Sequence, residues 1–160
     1  MTLHRPSNVD DPATLRAIMH ELKCMSENLP VVFPMHPRTR QRLSDFGMPC
    51  ATDGRLKILE PVGYYDSLCL TQNARFVLTD SGGLQEETTY LRVPCLTLRP
   101  NTDRPVTITI GSNRLTKPAK LPQDISEVLA RNGPIGQIPP LWDGKAADRV
   151  VQALEAASTG

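Results

Sequence analysis

Little in this chain is arranged for metal, redox or membrane chemistry. Its four cysteines, Cys24, Cys50, Cys69 and Cys95, lie far apart and form no C-x-x-C pair. With His4, His20 and His36 equally scattered, local spacing offers neither a zinc site nor a disulfide framework, and no metal is expected. The thiols read as reduced, with Cys69 and Cys95 expected in or near the core. Aromatic residues make up only 4% of the chain, and Lys plus Arg (18) nearly balance Asp plus Glu (17). With no block of five like charges and no basic stripe interleaved with aromatics, a general nucleic-acid binder is excluded. No apolar run approaches the roughly 18 residues of a membrane span, and MTLHRPSNVDD lacks the apolar stretch of a secretory signal. The expectation is a soluble, cytoplasmic protein with no membrane or nucleic-acid partner. Internal repeats and low-complexity tracts are also missing, so residues 1–160 are read as one domain, long enough to bury a core unaided.

What the chain does have is alternation, punctuated by 15 prolines that mostly sit at element boundaries. Asp10-Asp11-Pro12 followed by ATLRAIMHELKCMSENL predicts a capped helix with Leu15, Ile18, Met19 and Leu22 on one face. Val31–Phe33, Leu56–Leu59, Phe76–Leu78 and Pro94–Leu98 read as short strands. Arg38–Phe46, Tyr64–Asn73, Gly83–Tyr90, Gln123–Asn132 and Gly144–Ala157 read as helices, the last with Val150, Val151 and Leu154 on its apolar face. Residues 106–110 (VTITI) fit a strand or a short helix after Arg104-Pro105. Strands alternating with helices every 20 to 25 residues or so imply βαβ crossovers and an α/β fold, a parallel sheet with helices on both faces. In such sheets ligands bind beyond the carboxyl ends of the strands. His36, the Asp80–Gly83 turn and the loop after Leu98 all follow predicted strands, so they are expected to converge there.

The stretch FVLTDSGGLQEE, residues 76 to 87, carries the most chemistry. An apolar run ends at Thr79-Asp80, and Ser81-Gly82-Gly83 turns into a segment of helix formers. The first N–H groups of a helix have no partner inside it and sit at the positive end of its dipole, while glycine lets an anion come close. Glu86 and Glu87 follow about one turn later, within reach of a sugar or ribose hydroxyl; of the two, Glu86 reads as solvent-facing. An ordinary βα turn with Ser81 as N-cap fits the local pattern equally well.

Five ordered segments resemble one family. TDSGGLQEE followed by VPCLTLRPNTDRP, TLHRPSNVD (residues 2–10), FPMHP (33–37), ILEPVGYYD (58–66) and DGKAADRVV (143–151) are similar, in order and spacing, to the carboxyl-terminal half of the non-hydrolysing UDP-N-acetylglucosamine 2-epimerases. The resemblance implies a Rossmann-like domain forming one half of a GT-B fold, with the active site in a cleft against an amino-terminal domain that this chain lacks. It implies interconversion of UDP-N-acetylglucosamine and UDP-N-acetylmannosamine by elimination and re-addition of UDP, with neither NAD nor metal as cofactor.

By that resemblance Ser81, Gly82 and Gly83 bind the diphosphate with Arg104, Glu87 takes the ribose hydroxyls, and His4 assists the leaving group from the cleft. Arg5 and His36 match positions of a second, allosteric UDP-sugar site in bacterial members. The carboxylates that move the C2 proton belong to the other domain, so the chain alone is expected to be inactive, and a monomer or weak dimer. Ser67 and Val106 depart from residues common in the family, phenylalanine and glutamate, which marks a divergent branch. The alternatives are a GT-B glycosyltransferase domain, using the same turn for UDP, and a UDP-sugar-binding module without chemistry.

Overall fold

The computed structural model describes residues 1–48, 54–131, 133 and 135–158. In chain order the elements are α1 (Pro6–Val9), α2 (Pro12–Ser26), β1 (Val31–Pro34), α3 (Pro37–Asp45), β2 (Leu56–Leu59), α4 (Tyr64–Gln72) and β3 (Val77–Thr79). They continue with α5 (Gly82–Leu91), β4 (Cys95–Leu98), α6 (Val106–Thr109), β5 (Asn113–Thr116), α7 (Leu121–Ala130) and α8 (Ala146–Ser158). Prolines begin α1, α2 and α3, where an N–H would be unpaired in any case, and the Asp11 carboxylate caps α2 by accepting from the Thr14 amide at 2.7 Å.

All strand pairing is parallel: β1 with β2, and β3 with β4 and β5. The two sheets meet across residues 1–3. The Met1 ammonium donates to the Val32 carbonyl at 2.7 Å, and the Thr2 amide donates to the Leu78 carbonyl at 3.0 Å. The chain advances along β3, with Thr2 and Thr79 sharing a hydroxyl hydrogen bond of 2.6 Å and His4 reaching Asp80. The spatial order is therefore β2, β1, residues 1–3, β3, β4, β5. Residues 1–3 occupy the central position of a doubly wound, Rossmann-like sheet, and the connections depart to opposite sides of it. That is the topological switch point, and the residue that leaves it is His4.

Burial follows the same plan. Every residue of β3 and β4 is buried, as expected for central parallel strands covered on both faces, whereas β1 alternates buried and half-buried. Leu3, Leu15, Ile18, Leu22, Phe33 and Leu96 are fully buried in one core that also takes Leu121 from α7. Met19, expected on the same face of α2, is only half-buried at its margin.

Several local expectations are corrected. Residues 106–109 form the helix of the two possibilities, because Val106 follows Pro105 in a helical backbone conformation; the strand comes later, at Asn113–Thr116, where polar residues hid it. Cys95 is buried, with its thiol pushed up to about 11 by desolvation, but Cys69 is exposed on α4; Cys50 lies outside the described residues. In α8 no residue is buried, and Val150, Val151 and Leu154 are exposed. The apolar face is present as read, but nothing in the described chain covers it. A four-residue helix, α1, was not anticipated.

The segment leading into α8 is held by a bidentate ion pair. Arg149 Nη1 donates to Asp143 Oδ1 at 3.0 Å and Nη2 to Oδ2, which draws the Asp143 carboxyl down from 3.8 to about 2. A depressed carboxyl contributes stability that is present above its unfolded value and lost as pH falls through the folded one, here between about pH 4 and 2. In Arg149→Ala the Asp143 carbon resonance should titrate higher, back toward 3.8, while the Lys145 amide still donates to the carboxylate; an unchanged midpoint would rule out the pair in solution.

Candidate functional site

The turn after β3 is organised around Asp80, a side chain with 0% exposure. Its carboxylate accepts from the backbone N–H of His4 (3.0 and 3.1 Å), the N–H of Arg5 (2.8 Å) and the Asn8 side-chain amide (3.0 Å), while His4 Nδ1 lies 2.9 Å from Oδ1. Arg5 Nε donates to the Asp80 carbonyl at 2.9 Å, and Asn8 also donates to the Leu98 carbonyl at the end of β4 at 3.0 Å. One buried anion thus binds the start of the chain to the carboxyl ends of two strands some 70 to 90 residues away. A buried charge persists only when it is paired and hydrogen-bonded, and here the donors are all local to the switch point.

Ser81 stands at the N-cap position of α5 with extended backbone, but its side chain makes no capping bond; instead its amide donates to Thr79 Oγ1 at 2.9 Å. The ordinary-cap reading of Ser81 is therefore not what the turn uses. Arg104 lies over the start of α5. A Cβ on Gly82 would come within 3.3 Å of Arg104 Nη1, so glycine here makes room for the guanidinium. Glu86 does face solvent, its side chain 47% exposed, but it also has a partner: its Oε1 lies 3.0 Å from Arg104 Nε, and Asp103 contacts Arg104 Nη1. Both carboxylates hold the arginine's proton more firmly than usual, Glu86 most. Glu87, half-buried on α5, has its carboxyl raised by desolvation and by neighbouring Glu86. It lies about 7–8 Å along the helix axis from Gly82.

The loop carrying Arg104 is tied to the turn by a buried polar chain. Gln85, with 0% exposure, donates to the Ser81 carbonyl at 3.2 Å. Its Oε1 accepts from Thr102 Oγ1 (2.6 Å) and from Asn113 Nδ2 (3.1 Å). Thr102 Oγ1 in turn accepts the Arg104 amide at 3.0 Å, and Thr107 Oγ1 donates to the Arg104 carbonyl at 2.8 Å. Sequence reasoning passed over Gln85, Thr102, Asn113 and the structural work of Asp80 and Asn8. Asn8 and Asp80 stood inside recognised motifs, but β5, and with it Asn113, carried no apolar signal.

The structure brings His4, Arg5, Ser81, Gly82 and Arg104 to one edge. His36 joins them: its ring centroid is 5.4 Å from that of His4, and its Nδ1 caps α3 by accepting from the Arg38 amide at 3.1 Å. Cationic or N–H-bearing groups on one side of a helix N-terminus make an anion site. A separate cavity of about 460 Å³ opens at the other end of the seam between β1 and β3, against Leu29, Val31, Phe76 and Val77. Its mainly apolar lining does not suit a charged ligand. Among the described residues no three His, Cys, Asp or Glu side chains gather where they would hold a metal ion, and no helix is long and apolar enough to cross a membrane.

The family model described as UDP-N-acetylglucosamine 2-epimerase matches residues 1–155. The UDP-N-acetylglucosamine 2-epimerase of Methanocaldococcus jannaschii is 39% identical over 158 residues, 96% of this chain but 43% of its own length. The UDP-2,3-diacetamido-2,3-dideoxy-D-glucuronate 2-epimerase of Pseudomonas aeruginosa is 39% identical over 120 residues, 74% of this chain and 33% of its own length. A crystal structure of the M. jannaschii enzyme in complex with UDP-GlcNAc and UDP superposes with a TM-score of 0.83 at 38% identity, covering 97% of this chain and 44% of that one. The chain spans less than half the length of these relatives.

Proposed function

Because the chain belongs to the UDP-N-acetylglucosamine 2-epimerase family, we propose that it is the carboxyl-terminal, UDP-binding half of a two-domain epimerase, one half of a GT-B fold. In this reading residues 1–160 hold the leaving group, and an amino-terminal domain completes the cleft and brings the groups that move the C2 proton. Elimination requires that the electron pair of the C1–O bond pass to the diphosphate while a base takes the C2 proton; the developing charge must be held by fixed donors. Ser81, Gly82 and Gly83 offer the backbone N–H groups at the start of α5, Arg104 the planar charge, and His4 a ring nitrogen from the switch point. Glu87 takes the ribose hydroxyls. Arg5 and His36 are assigned to a second UDP-sugar, the ligand that would tune the first site.

The observation that carries this reading is the placement of Arg104 over Gly82 at the N-terminus of α5, with His4 beside the same turn. Half a cleft forfeits part of the contacts to UDP, so binding by the chain alone is weak, and it neither excludes water nor places a base, so chemistry is lost. The chain alone should therefore bind UDP, with NMR shifts at Ser81–Gly83 and Arg104. It should neither exchange the C2 hydrogen of UDP-N-acetylglucosamine for deuterium nor form the manno epimer. Supplying a family amino-terminal domain should start both reactions. Turnover by the chain alone would refute the division of labour, and absence of UDP-induced shifts at the turn would refute the site.

A further inference from the structure

We propose that Asp80 is a positioning residue for His4, holding the imidazole in the Nδ1–H tautomer so that Nε2 is the nitrogen presented to the ligand. The inference rests on reading the turn as the UDP site for its consequence, but its geometry stands without that reading. Asp80 accepts from two backbone N–H groups and the Asn8 amide, and the His4 ring nitrogen lies against the same carboxylate. A carboxylate surrounded in this way only accepts, so the proton in the contact of 2.9 Å between Oδ1 and His4 Nδ1 belongs to the ring. The pair spans the protein boundary: the Asp80 side chain is 0% exposed and that of His4 38%. Nδ1 is committed to the interior, and the edge carrying Nε2 is what remains for the cleft. The His4 amide hydrogen-bonds to the same carboxylate, which fixes the backbone beside it, and turning the imidazole over would break the Nδ1–Oδ1 contact.

The neighbouring ring is a built-in contrast. His36 Nδ1 accepts the Arg38 amide at 3.1 Å, so a neutral His36 carries its proton on Nε2. Two imidazoles with centroids 5.4 Å apart are thus held in opposite tautomers by different partners. For His4 the consequence is functional. Nε2 accepts when the ring is neutral and donates when it is protonated, and the Asp80 carboxylate balances the imidazolium. As the C1–O bond breaks and its electron pair goes to the diphosphate oxygen, an Nε2–H in this position donates to that oxygen.

Long-range proton–nitrogen NMR on the uniformly 15N-labelled full chain, at a pH where neutral histidine predominates, tests this directly. The expected result is Nδ1–H for His4 and Nε2–H for His36. Asp80→Asn keeps the size and one acceptor but not the charge; His4 should drift to a mixture of tautomers, His36 should stay as it was, and UDP affinity should fall about tenfold. A folded Asp80→Asn protein with the His4 tautomer unchanged would overturn the proposal, because a merely structural aspartate leaves the ring alone. If that variant fails to fold, the wild-type spectrum decides by itself: His4 as Nε2–H is fatal to the idea. Titration with UDP separates the two claims. Absence of shifts at Ser81–Gly83 counts against the UDP site, whereas the tautomer of His4 counts only for or against Asp80.

Discussion

Arg104→Ala should weaken UDP binding by about 10- to 100-fold in calorimetry, the loss expected when a charge-assisted, forked contact to phosphate is removed. The sign of a companion substitution makes the test specific. In the structure the guanidinium is engaged by Glu86 and Asp103 through Nε and Nη1, so an arriving diphosphate competes with these carboxylates for it. Exposed ion pairs contribute little, which makes the exchange easy, yet it is not free. Glu86→Gln should accordingly raise UDP affinity a few-fold while Arg104→Ala lowers it. A decrease in both would mean that Glu86 holds Arg104 in its binding pose rather than competing for it, and no change in Arg104→Ala would remove the arginine from the site.

Gln85→Leu should have a large effect on stability. The side chain is fully buried and serves three partners: the Ser81 carbonyl, the Thr102 hydroxyl and the Asn113 amide. Leucine fills similar space but leaves those groups without their partner, and each buried unpaired group costs on the order of 1–3 kcal/mol. With Thr107 still available to the Asn113 amide, the total expected is about 2–4 kcal/mol, read as a lower urea midpoint at unchanged slope. Gln85→Glu retains the acceptor but sets a buried, unpaired carboxylate against the Ser81 carbonyl, so at neutral pH it should cost at least as much. Because Gln85 also links the turn to the Arg104 loop through Thr102, UDP affinity should fall with stability in both variants. Wild-type stability in Gln85→Leu would show that water satisfies the network.

Much of the site was legible as sequence because its backbone chemistry is local. An apolar run ending in Thr79-Asp80, then Ser81-Gly82-Gly83 and helix formers, predicts strand, turn and helix N-terminus from neighbouring residues alone, and β3 and α5 follow within a residue or so. The same reasoning missed β5, whose sequence NRLT has polar residues at the positions that are buried: Asn113 and Thr116 are satisfied there by side-chain partners rather than by an apolar environment. It placed Cys69 too deep, since the general preference of a free thiol for the interior does not hold on α4, where only Thr71 is buried. In α8 the pattern of Val150, Val151 and Leu154 was correct while its burial was not, because a pattern states which face is apolar and not what covers it.

What the sequence by itself determined is most of the order of elements, the parallel α/β architecture, the glycine turn between β3 and α5, and the family through its five ordered motifs. Only the tertiary structure decided the partners. Asp80 meets His4 across 76 positions and Leu98 meets Asn8 across 90, because residues 1–3 lie between β1 and β3 and bring those strand ends together. Glu86, read as a solvated helix residue, faces Arg104 because the loop after β4 folds back over α5. Local propensity acts through a few neighbouring dihedrals and side chains. Which buried donor meets which acceptor depends instead on the order and register of strands, and these form only when the whole core closes.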